Sequence, residues 1–311
     1  MKLSMFNEFQ LGVIKGDRVV SVGEAVKDMD YHTPQELMEK VIINFAELSP
    51  RFKGIVGRGQ GVPITSVRIR QPLPMPTNID CMAVNYMENG TRSEPAPLNG
   101  FHKSPNAIIG DGDIMMLPDV PATIFEGEAE LAVVIGKRAT RVNQAEALNY
   151  VFGYLNFIDG SARDLPPASN SFYQVKSRDT FAPIGPYLVT ADEVPDPHNL
   201  KVRLWNNGVL MQDYTTSDMT NKIPRCIEWI TSIHTLEPGD IVATGTNHRG
   251  LNPFQDGDQI EMETEGLGRL HCHIRDDLKR TWARETRLDR QRKNLKGATP
   301  QLTGKYAAKP S

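Results

Sequence analysis

The segment Phe125–Gly136, with the sequence FEGEAELAVVIG, runs three alternating glutamates directly into an apolar stretch. On a strand, Glu126, Glu128 and Glu130 project from one face, because successive side chains point to opposite sides. The following residues, Leu131–Ile135, are apolar at both parities, which is typical of a strand buried on both faces. The segment therefore predicts a central strand that carries carboxylates into the protein interior.

Carboxylates beside a buried strand are costly unless a counter-charge or a cation neutralises them. A hard divalent cation such as Mg²⁺ or Mn²⁺ prefers oxygen ligands, and carboxylates two positions apart on a strand can share one. A second strand-like stretch, Gly153–Asp159, ends in a single aspartate, which makes Asp159 a candidate third ligand. Spacing alone leaves two alternatives open, namely a metal site and a paired or merely exposed acidic cluster.

The rest of the chain alternates short β-rich runs with turns and contains few helical patterns. Helices are predicted from Thr33, with Pro34 at the first helical position, to about Phe45, and from Lys222 to Ile233. Many strands with few helices indicate an α+β, β-rich fold in the form of a sandwich or roll. The predicted strands cover 11–22 with a turn at 15–17, 81–84, 107–109, 114–117, 131–135, 151–158, 187–190, 202–205, 241–244 and 259–264.

Three prolines in Gln71–Pro76 form a stiff, extended connector between two parts of the chain. We therefore expect a small N-terminal α/β domain at 1–71 and the main domain at 77–277. Lysine and arginine predominate after Asp277, so 278–311 is expected to be a basic tail. A solvated helix with a disordered end, or an arm lying on a partner subunit, would account for such a tail.

Composition excludes several classes of protein. The 311 residues carry 35 Lys+Arg and 38 Asp+Glu, for a formal net charge of −3. This near-neutral balance argues against a nucleic-acid binder or a protein held on an acidic membrane surface. No apolar stretch approaches the roughly 20 residues of a membrane helix, and the N-terminus has no signal-peptide core. Three scattered cysteines suggest neither a disulfide framework nor a zinc knuckle. We expect a soluble, cytoplasmic protein with no nucleic-acid or membrane partner.

Five motifs resemble, in order and spacing, the fumarylacetoacetate hydrolase (FAH) family, and the resemblance spans about Asp80–Ile274. The fold of that family, a roll of mixed β-sheets around a metal, agrees with the β-rich prediction. The motifs are EAELAVVIG at 128–136, GY at 153–154 leading to DGSARD at 159–164, KSRDTFAPIGP at 176–186, NG at 207–208 with Gln212, and LEPGDIVATGT at 236–246.

The resemblance implies a metal triad of Glu128, Glu130 and Asp159 that holds Mg²⁺ or Mn²⁺, with Glu126 as a neighbour rather than a ligand. Lys176 would lie beside the metal, where its ammonium stabilises negative charge on the substrate or holds Asp159. Substrates of the family are mostly short dicarbonyl or enol acids, whose adjacent oxygens can bind the cation together.

The same resemblance implies contacts with the carboxylate or oxo groups of the substrate. Tyr86, Gln212 and Thr246 are the residues at the matching positions. Arg163 and Asp164 are expected to form a supporting ion pair close to the metal ligands.

The chain departs from the family in its lid. In hydrolytic and decarboxylating members, a segment of the form N-Y-x-x-H-x-x-E supplies the base that activates water. Here Asn85–Arg92 has the sequence NYMENGTR, with Asn89 at the histidine position and Arg92 at the glutamate position. Neither side chain is a general base at neutral pH.

Three explanations of this departure remain open. Glu88 takes the role of the base after a small shift of the lid. A histidine elsewhere substitutes, and His248 and His102 are the two placed near family active-site segments. Alternatively, the enzyme does not hydrolyse its substrate. His271 and His273 are set aside as a separate metal site because no third ligand is in view.

The sequence thus predicts a metal-dependent hydrolase that cleaves a C–C bond in a 2-oxo or 1,3-dicarbonyl (acylpyruvate-like) acid, as a homodimer or higher homo-oligomer. The alternative is an isomerase, tautomerase or dehydratase with the same site. A third hypothesis is a binding protein that keeps the metal and has lost turnover. Substrate specificity is expected to lie in loops such as 89–102 and 165–174.

Overall fold

A computed structural model describes residues 1–166 and 172–307. Part of the loop 165–174 and the end of the basic tail therefore lie outside the described residues. The strands are β1 (Lys2–Phe6), β2 (Gln10–Lys15), β3 (Arg18–Ser21), β4 (Val62–Pro63), β5 (Ile69–Arg70), β6 (Ile79–Met82), β7 (Gly100–His102), β8 (Ile108–Ile109), β9 (Asp113–Met116), β10 (Phe125–Ile135), β11 (Val151–Ala162), β12 (Ala182–Thr190), β13 (Lys201–Asn206), β14 (Val209–Thr215), β15 (Ile241–Ala243), β16 (Gln259–Thr264), β17 (Arg269–Arg275), β18 (Thr281–Trp282) and β19 (Gln301–Thr303).

The α-helices are short and few, as the sequence predicts. They are α1 (Pro34–Ile43), α2 (Phe45–Arg58), α3 (Phe172–Lys176), α4 (Ile223–Ile233) and α5 (Arg287–Arg292). Single 3₁₀ turns cover Gly23–Val26, Ile64–Ser66, Pro105–Ala107, Gln144–Tyr150, Ala191–Glu193, Thr216–Asp218 and His248–Gly250.

The central sheet has the order β4-β3-β2-β1-β12-β11-β10-β15-β6-β7, with β5 paired to β1 and β8 paired to β12. Its central strand β10 is buried at every position, in agreement with the apolar run at both parities. The strand begins at Phe125, earlier than the predicted Leu131, so the three glutamates lie within it. β11 pairs with β10 in antiparallel register over nearly its whole length.

A second sheet, with the order β14-β13-β16-β17-β9, covers one face of the central sheet. Leu131 and Val133 of β10 lie in one apolar core with Val202 of β13 and Met262 of β16. The two sheets therefore form a sandwich around this core, which confirms the β-rich fold class.

The N-terminal residues continue the central sheet. β1 pairs antiparallel with β12, with Lys2 opposite Val189, and Leu3 shares a second core with Leu155 and Ile241. Strands that precede the proline connector at 71–76 and strands that follow it therefore belong to one sheet. The division into domains at this connector stays a prediction.

Helix α1 begins as the sequence predicts, because the Thr33 hydroxyl accepts a hydrogen bond of 3.1 Å from the Glu36 amide. The sequence did not predict α2, which contains Pro50. Proline removes one helical hydrogen bond and is a poor signal for a helix.

The first part of the segment after Asp277 packs against the sandwich, whereas residues 291–298 are exposed. Arg280 is fully buried and its Nη2 lies 2.9 Å from Oδ1 of Asp276. The Trp282 indole donates to the carbonyl of Thr123 over 2.8 Å. The buried pair of Arg280 and Asp276 differs from a fully solvated segment. An arm that lies on a partner subunit stays a prediction. Among the described residues, no helix combines the length and apolar character needed to cross a bilayer.

Candidate metal centre and active site

Three buried carboxylates meet where β10 pairs with β11. Glu128 stands directly opposite Asp159, and Glu130 follows two positions later on the same face of β10. One oxygen from each carboxylate lies within 4.8 Å of the other two, and none of the three residues is more than 6% exposed. The residues that the sequence predicts as metal ligands are thus brought together.

Two buried lysines neutralise part of this cluster. Lys176 Nζ donates to Oε1 of Glu128 over 2.7 Å and also to Oδ2 of Asp159. Lys103 Nζ lies 2.6 Å from Oδ1 of Asp159 and 2.5 Å from the carbonyl of Lys176. Burial opposes the charge on Lys176, but Asp159 and Glu128 outweigh it and raise the pKa of the ammonium. Lys176 therefore lies where the sequence predicts, whereas the contact of Lys103 was not predicted.

Glu130 has no cationic side chain in contact with it among the described residues. Its Oε2 accepts a hydrogen bond of 2.7 Å from the Gly245 amide. Gly245 has a φ of +88°, a conformation that glycine adopts without a Cβ clash. Burial raises the pKa of the Glu130 carboxyl well above its ordinary value, and the charges of Asp159 and Glu128 add to the effect.

The donor set fits a hard divalent cation. All three groups offer carboxylate oxygens, the ligands that Mg²⁺ and Mn²⁺ prefer. Like charges directly opposite each other on paired strands repel. Lys176 compensates part of this repulsion, and a divalent cation held by the three carboxylates would compensate more of it. Glu130, which lacks a cationic partner, would gain one from the same ion.

Glu126 is paired with arginines and lies outside the ligand set, as expected. Arg163 Nε lies 3.0 Å from Oε2 of Glu126, and Arg287 of the tail donates to Oε1 of Glu126 over 3.0 Å. The expected pairing of Arg163 with Asp164 is wrong. Arg163 also contacts Glu128, whereas Asp164 accepts a hydrogen bond from Thr123, because the carboxylates of β10 face the guanidinium.

Gln212 and Thr246 both bind the backbone of Ala129, the residue between Glu128 and Glu130. Gln212 Oε1 accepts from the Ala129 amide over 3.0 Å, and Thr246 Oγ1 donates to the Ala129 carbonyl over 2.7 Å. The Gln212 amide also donates to Thr246 Oγ1 over 2.9 Å. In this structure the two side chains fix the strand that carries the ligands. Their contact with a substrate stays a prediction.

Tyr86 is fully buried next to this network. Its ring packs edge-on against Tyr214, with the ring centroids 5.1 Å apart, and Tyr214 is bonded to the Ala129 carbonyl. The Tyr86 hydroxyl has no hydrogen-bond partner within the described part of the chain. A buried hydroxyl without a partner is costly, so this group is available to a ligand or a water molecule.

Glu88 and His248, two of the three candidates for the missing base, bind each other. His248 Nδ1 lies 2.7 Å from Oε1 of Glu88, and the His248 amide donates to Oε2 over 2.9 Å. Glu88 and Asn89 have φ angles of +56° and +55°. Left-handed backbone is uncommon for glutamate and is frequent at functional sites, whereas asparagine adopts it more readily.

The Glu88–His248 pair lies near the carboxylate cluster. His248 comes two residues after Thr246, which is bonded to the strand between the ligands. A positive charge on His248 contributes to lowering the pKa of Glu128, after the larger effects of burial, which opposes it, and of Lys176 and Arg163. His102 lies elsewhere, with Nε2 3.4 Å from Oδ1 of Asp80.

Asn89, which replaces the family's lid histidine, is held by contacts with neighbouring residues. The Asn89 amide donates to Oδ2 of Asp218 over 3.0 Å, and the Asn247 amide group reaches Oδ1 of Asn89 over 3.4 Å. Asn89 thus helps to hold the turn that bears Glu88.

The family of this chain follows from a match over most of the sandwich. The family model described as fumarylacetoacetate (FAA) hydrolase, C-terminal, matches residues 78–275. The chain belongs to this family. The match covers all three carboxylates, both lysines and the Glu88–His248 pair.

Relatives in the family catalyse different reactions. Maleylpyruvate hydrolase of Aquipseudomonas alcaligenes is 32% identical over 88% of this chain and 99% of its own length. Oxaloacetate tautomerase YisK of Bacillus subtilis is 38% identical over 68% of this chain and 74% of its own length. Maleylpyruvate hydrolase from Sphingobium sp. SYK-6, solved in complex with manganese(II) ion and pyruvate, is 32% identical and superposes with a TM-score of 0.80 over 89% of this chain and 99% of that structure.

Proposed function

We propose that this chain is a divalent-cation-dependent hydrolase that cleaves a C–C bond in a 2-oxo or 1,3-dicarbonyl acid of the acylpyruvate type. Glu128, Glu130 and Asp159 would hold Mg²⁺ or Mn²⁺, which when bound supplies a Lewis acid to polarise a carbonyl. The observation that carries the proposal is the contact of Glu88 with His248 beside these carboxylates. It supplies the base that the lid residues Asn89 and Arg92 cannot.

The pair would activate a water molecule. The Glu88 carboxylate would accept a hydrogen bond from Nδ1–H, which leaves the lone pair of Nε2 of His248 free to take a proton from water. The resulting hydroxide would add to the acyl carbon, the C–C bond would break, and the carbon that leaves would take back the proton held on Nε2. One diketo acid and one water thus give two carboxylic acids.

Lys176 would stabilise the negative charge that develops on the substrate oxygens. Its ammonium is buried and already bonded to two of the carboxylates, so its position is fixed before the substrate binds. The unpartnered hydroxyl of Tyr86 is the group that we assign to an oxygen of the substrate. Gln212 and Thr246 complete the site, either by direct contact or through Ala129.

The similarity to two maleylpyruvate hydrolases supports the reaction and substrate class. The manganese(II) and pyruvate in one of those structures support a divalent cation and a short oxo acid. The cytoplasmic location and the homo-oligomer stay predictions.

An assay with acylpyruvates tests the proposal. Metal-loaded protein is incubated with acylpyruvates, and the loss of the diketone absorbance is followed together with the two product acids. We expect both signals to depend on Mn²⁺ or Mg²⁺ and to be lost with a chelator. A change in absorbance without fragments would exclude hydrolysis.

A tautomerase, isomerase or dehydratase is the second candidate. The replacement of the lid residues by Asn89 and Arg92 favours it, and so does the similarity to an oxaloacetate tautomerase. This enzyme would interconvert the keto and enol forms of an oxo acid without releasing fragments. Binding of oxo acids with no metal-dependent change in any of them would instead favour a binding protein.

A further inference from the structure

A second cluster of metal-ligating side chains lies near the edge of the central sheet. Asp80 of β6 stands opposite His102 of β7 in antiparallel register, and His234 follows the last residue of α4. The three residues border a cavity of about 170 Å³, which Trp229 and Ile233 also line. The side chain of His102 faces this cavity, whereas that of the next residue, Lys103, binds Asp159 in the carboxylate cluster.

The spacing of the ligand atoms suits a small cation. Oδ1 of Asp80 lies 3.1 Å from Nε2 of His234 and 3.4 Å from Nε2 of His102. In a tetrahedral zinc site with bonds of about 2.0–2.1 Å, neighbouring ligand atoms are roughly 3.3 Å apart. The two distances from Asp80 match this separation, and all three ligand atoms lie within 4.8 Å of one another.

The hydrogen bonding of His234 fixes which ring nitrogen faces Asp80. Nδ1 lies 3.0 Å from the carbonyl of Thr235, and a carbonyl only accepts, so Nδ1 carries the hydrogen. Nε2 faces Oδ1 of Asp80 over 3.1 Å, and because a carboxylate only accepts, Nε2 also carries a hydrogen in the metal-free ring. A bound cation would replace that proton and use the Nε2 lone pair. Metal-bound histidines are oriented in this way, with the second nitrogen donating to a carbonyl.

The carboxylate of Asp80 has an unused oxygen. Oδ2 is buried and has no hydrogen-bond partner within the part of the chain described, and the side chain is 10% exposed. A buried carboxylate oxygen without a donor is costly unless a cation or water compensates it.

We propose that Asp80, His102 and His234 form a second metal site, which binds a transition-metal ion of the Zn²⁺ class. Two imidazoles and one carboxylate favour Zn²⁺, Co²⁺ or Ni²⁺ over the oxygen-preferring Mg²⁺. The His102 side chain is 60% exposed, so the fourth position opens to solvent and can take water. The site differs in ligand chemistry from the carboxylate cluster, and its existence does not depend on the reaction catalysed there.

Co²⁺ and Zn²⁺ titrations of the full chain test this site. The protein is stripped with a chelator, saturated with Mg²⁺ to occupy the carboxylates, and titrated with Co²⁺. We expect the visible absorption of four-coordinate Co²⁺ bound to imidazole, removed by one equivalent of Zn²⁺. His102→Ala and His234→Ala should each weaken Zn²⁺ binding at least tenfold, since loss of even a supporting partner costs about that much.

His271→Ala is the matched control, because it removes one exposed histidine that contacts Asp111 and no residue of this cluster. It should bind Zn²⁺ as the wild type does. His102 is largely exposed, so His102→Ala is expected to fold even where His234→Ala does not, and circular dichroism checks both. Absence of Co²⁺ and Zn²⁺ binding to the Mg²⁺-saturated wild type, or unchanged binding by the folded variants, would overturn the proposal.

Discussion

Glu128 and Asp159 stand directly opposite each other on paired antiparallel strands, and both are buried. Lys176 bridges the two carboxylates. Glu130, two positions along β10, has no cationic partner in the described part of the chain. A divalent cation would therefore stabilise the carboxylate of Glu130 more than the other two carboxylates.

Glu130→Gln should weaken Mn²⁺ binding at least about tenfold, as expected on loss of a ligand. The amide can still accept the hydrogen bond of Gly245, and no lysine or arginine loses its partner, so the protein should remain folded. Isothermal titration measures the affinity, and circular dichroism monitors the fold. Glu126→Gln, on the same face of β10, is the control and should bind Mn²⁺ nearly as tightly as the wild type. Equal affinities of both variants would contradict the ligand assignment.

His248→Ala and Glu88→Gln should each lower kcat for acylpyruvate hydrolysis by about 10²–10⁴, the usual contribution of a general base. Mn²⁺ binding should persist, because neither residue is a ligand. His271→Ala removes a histidine remote from the site and should retain activity. If His248→Ala hydrolyses its substrate at the wild-type rate, the base lies elsewhere.

Arg280→Ala should lower the free energy of unfolding by about 3–5 kcal/mol, because it leaves Asp276 buried without its partner. Arg280 also donates to the carbonyl of Pro118 over 2.9 Å and lies over the ring of Phe125. Urea unfolding provides the measurement. Arg275→Ala, which removes an exposed partner of Asp277, should change stability by less than about 0.5 kcal/mol. Similar losses for the two variants would mean that burial of the pair is unimportant.

The pair formed by His271 and Asp111 should stabilise the protein at low pH only. The hydrogen bond that Nδ1 of His271 donates to Asp111 raises the pKa of His271 above its ordinary value, despite partial burial. Because the folded pKa is the higher one, the contribution is complete below the unfolded pKa of about 6.5 and is lost as pH rises through the folded pKa. Asp111→Asn should therefore melt earlier than the wild type at pH 5.5 and at the same temperature at pH 8.5. An NMR titration of His271 reports the pKa directly, and a value unchanged by Asp111→Asn would contradict this account.

The sequence predicted the central strand and its carboxylates because the signal is local. Alternating glutamates indicate side chains on one face of a strand, and the following run that is apolar at both parities indicates deep burial. β10 has both properties. The register that sets Glu128 opposite Asp159 joins two strands, and neither strand alone specifies it. The resemblance to the family grouped these residues as a triad, but it did not predict the register.

Other features had no local signal. Lys103 follows a three-residue strand, and nothing in its neighbours indicates that its ammonium reaches Asp159. The contact between Glu88 and His248 spans 160 positions, so sequence reasoning could name each as a candidate base but could not combine them. Likewise, the proline connector suggested a boundary, whereas the pairing of β1 with β12 depends on residues far apart in the chain.

The contact of Arg287 with Glu126 limits which segments of this protein can be combined with those of its relatives in a chimera. The family match ends at residue 275, yet a guanidinium twelve positions further on compensates a buried acid of β10. A chimera that carries only the matched region would inherit that acid without one of its two arginines. A chimera built on another scaffold would therefore have to include the C-terminal extension with Arg287, or another cationic side chain that compensates Glu126.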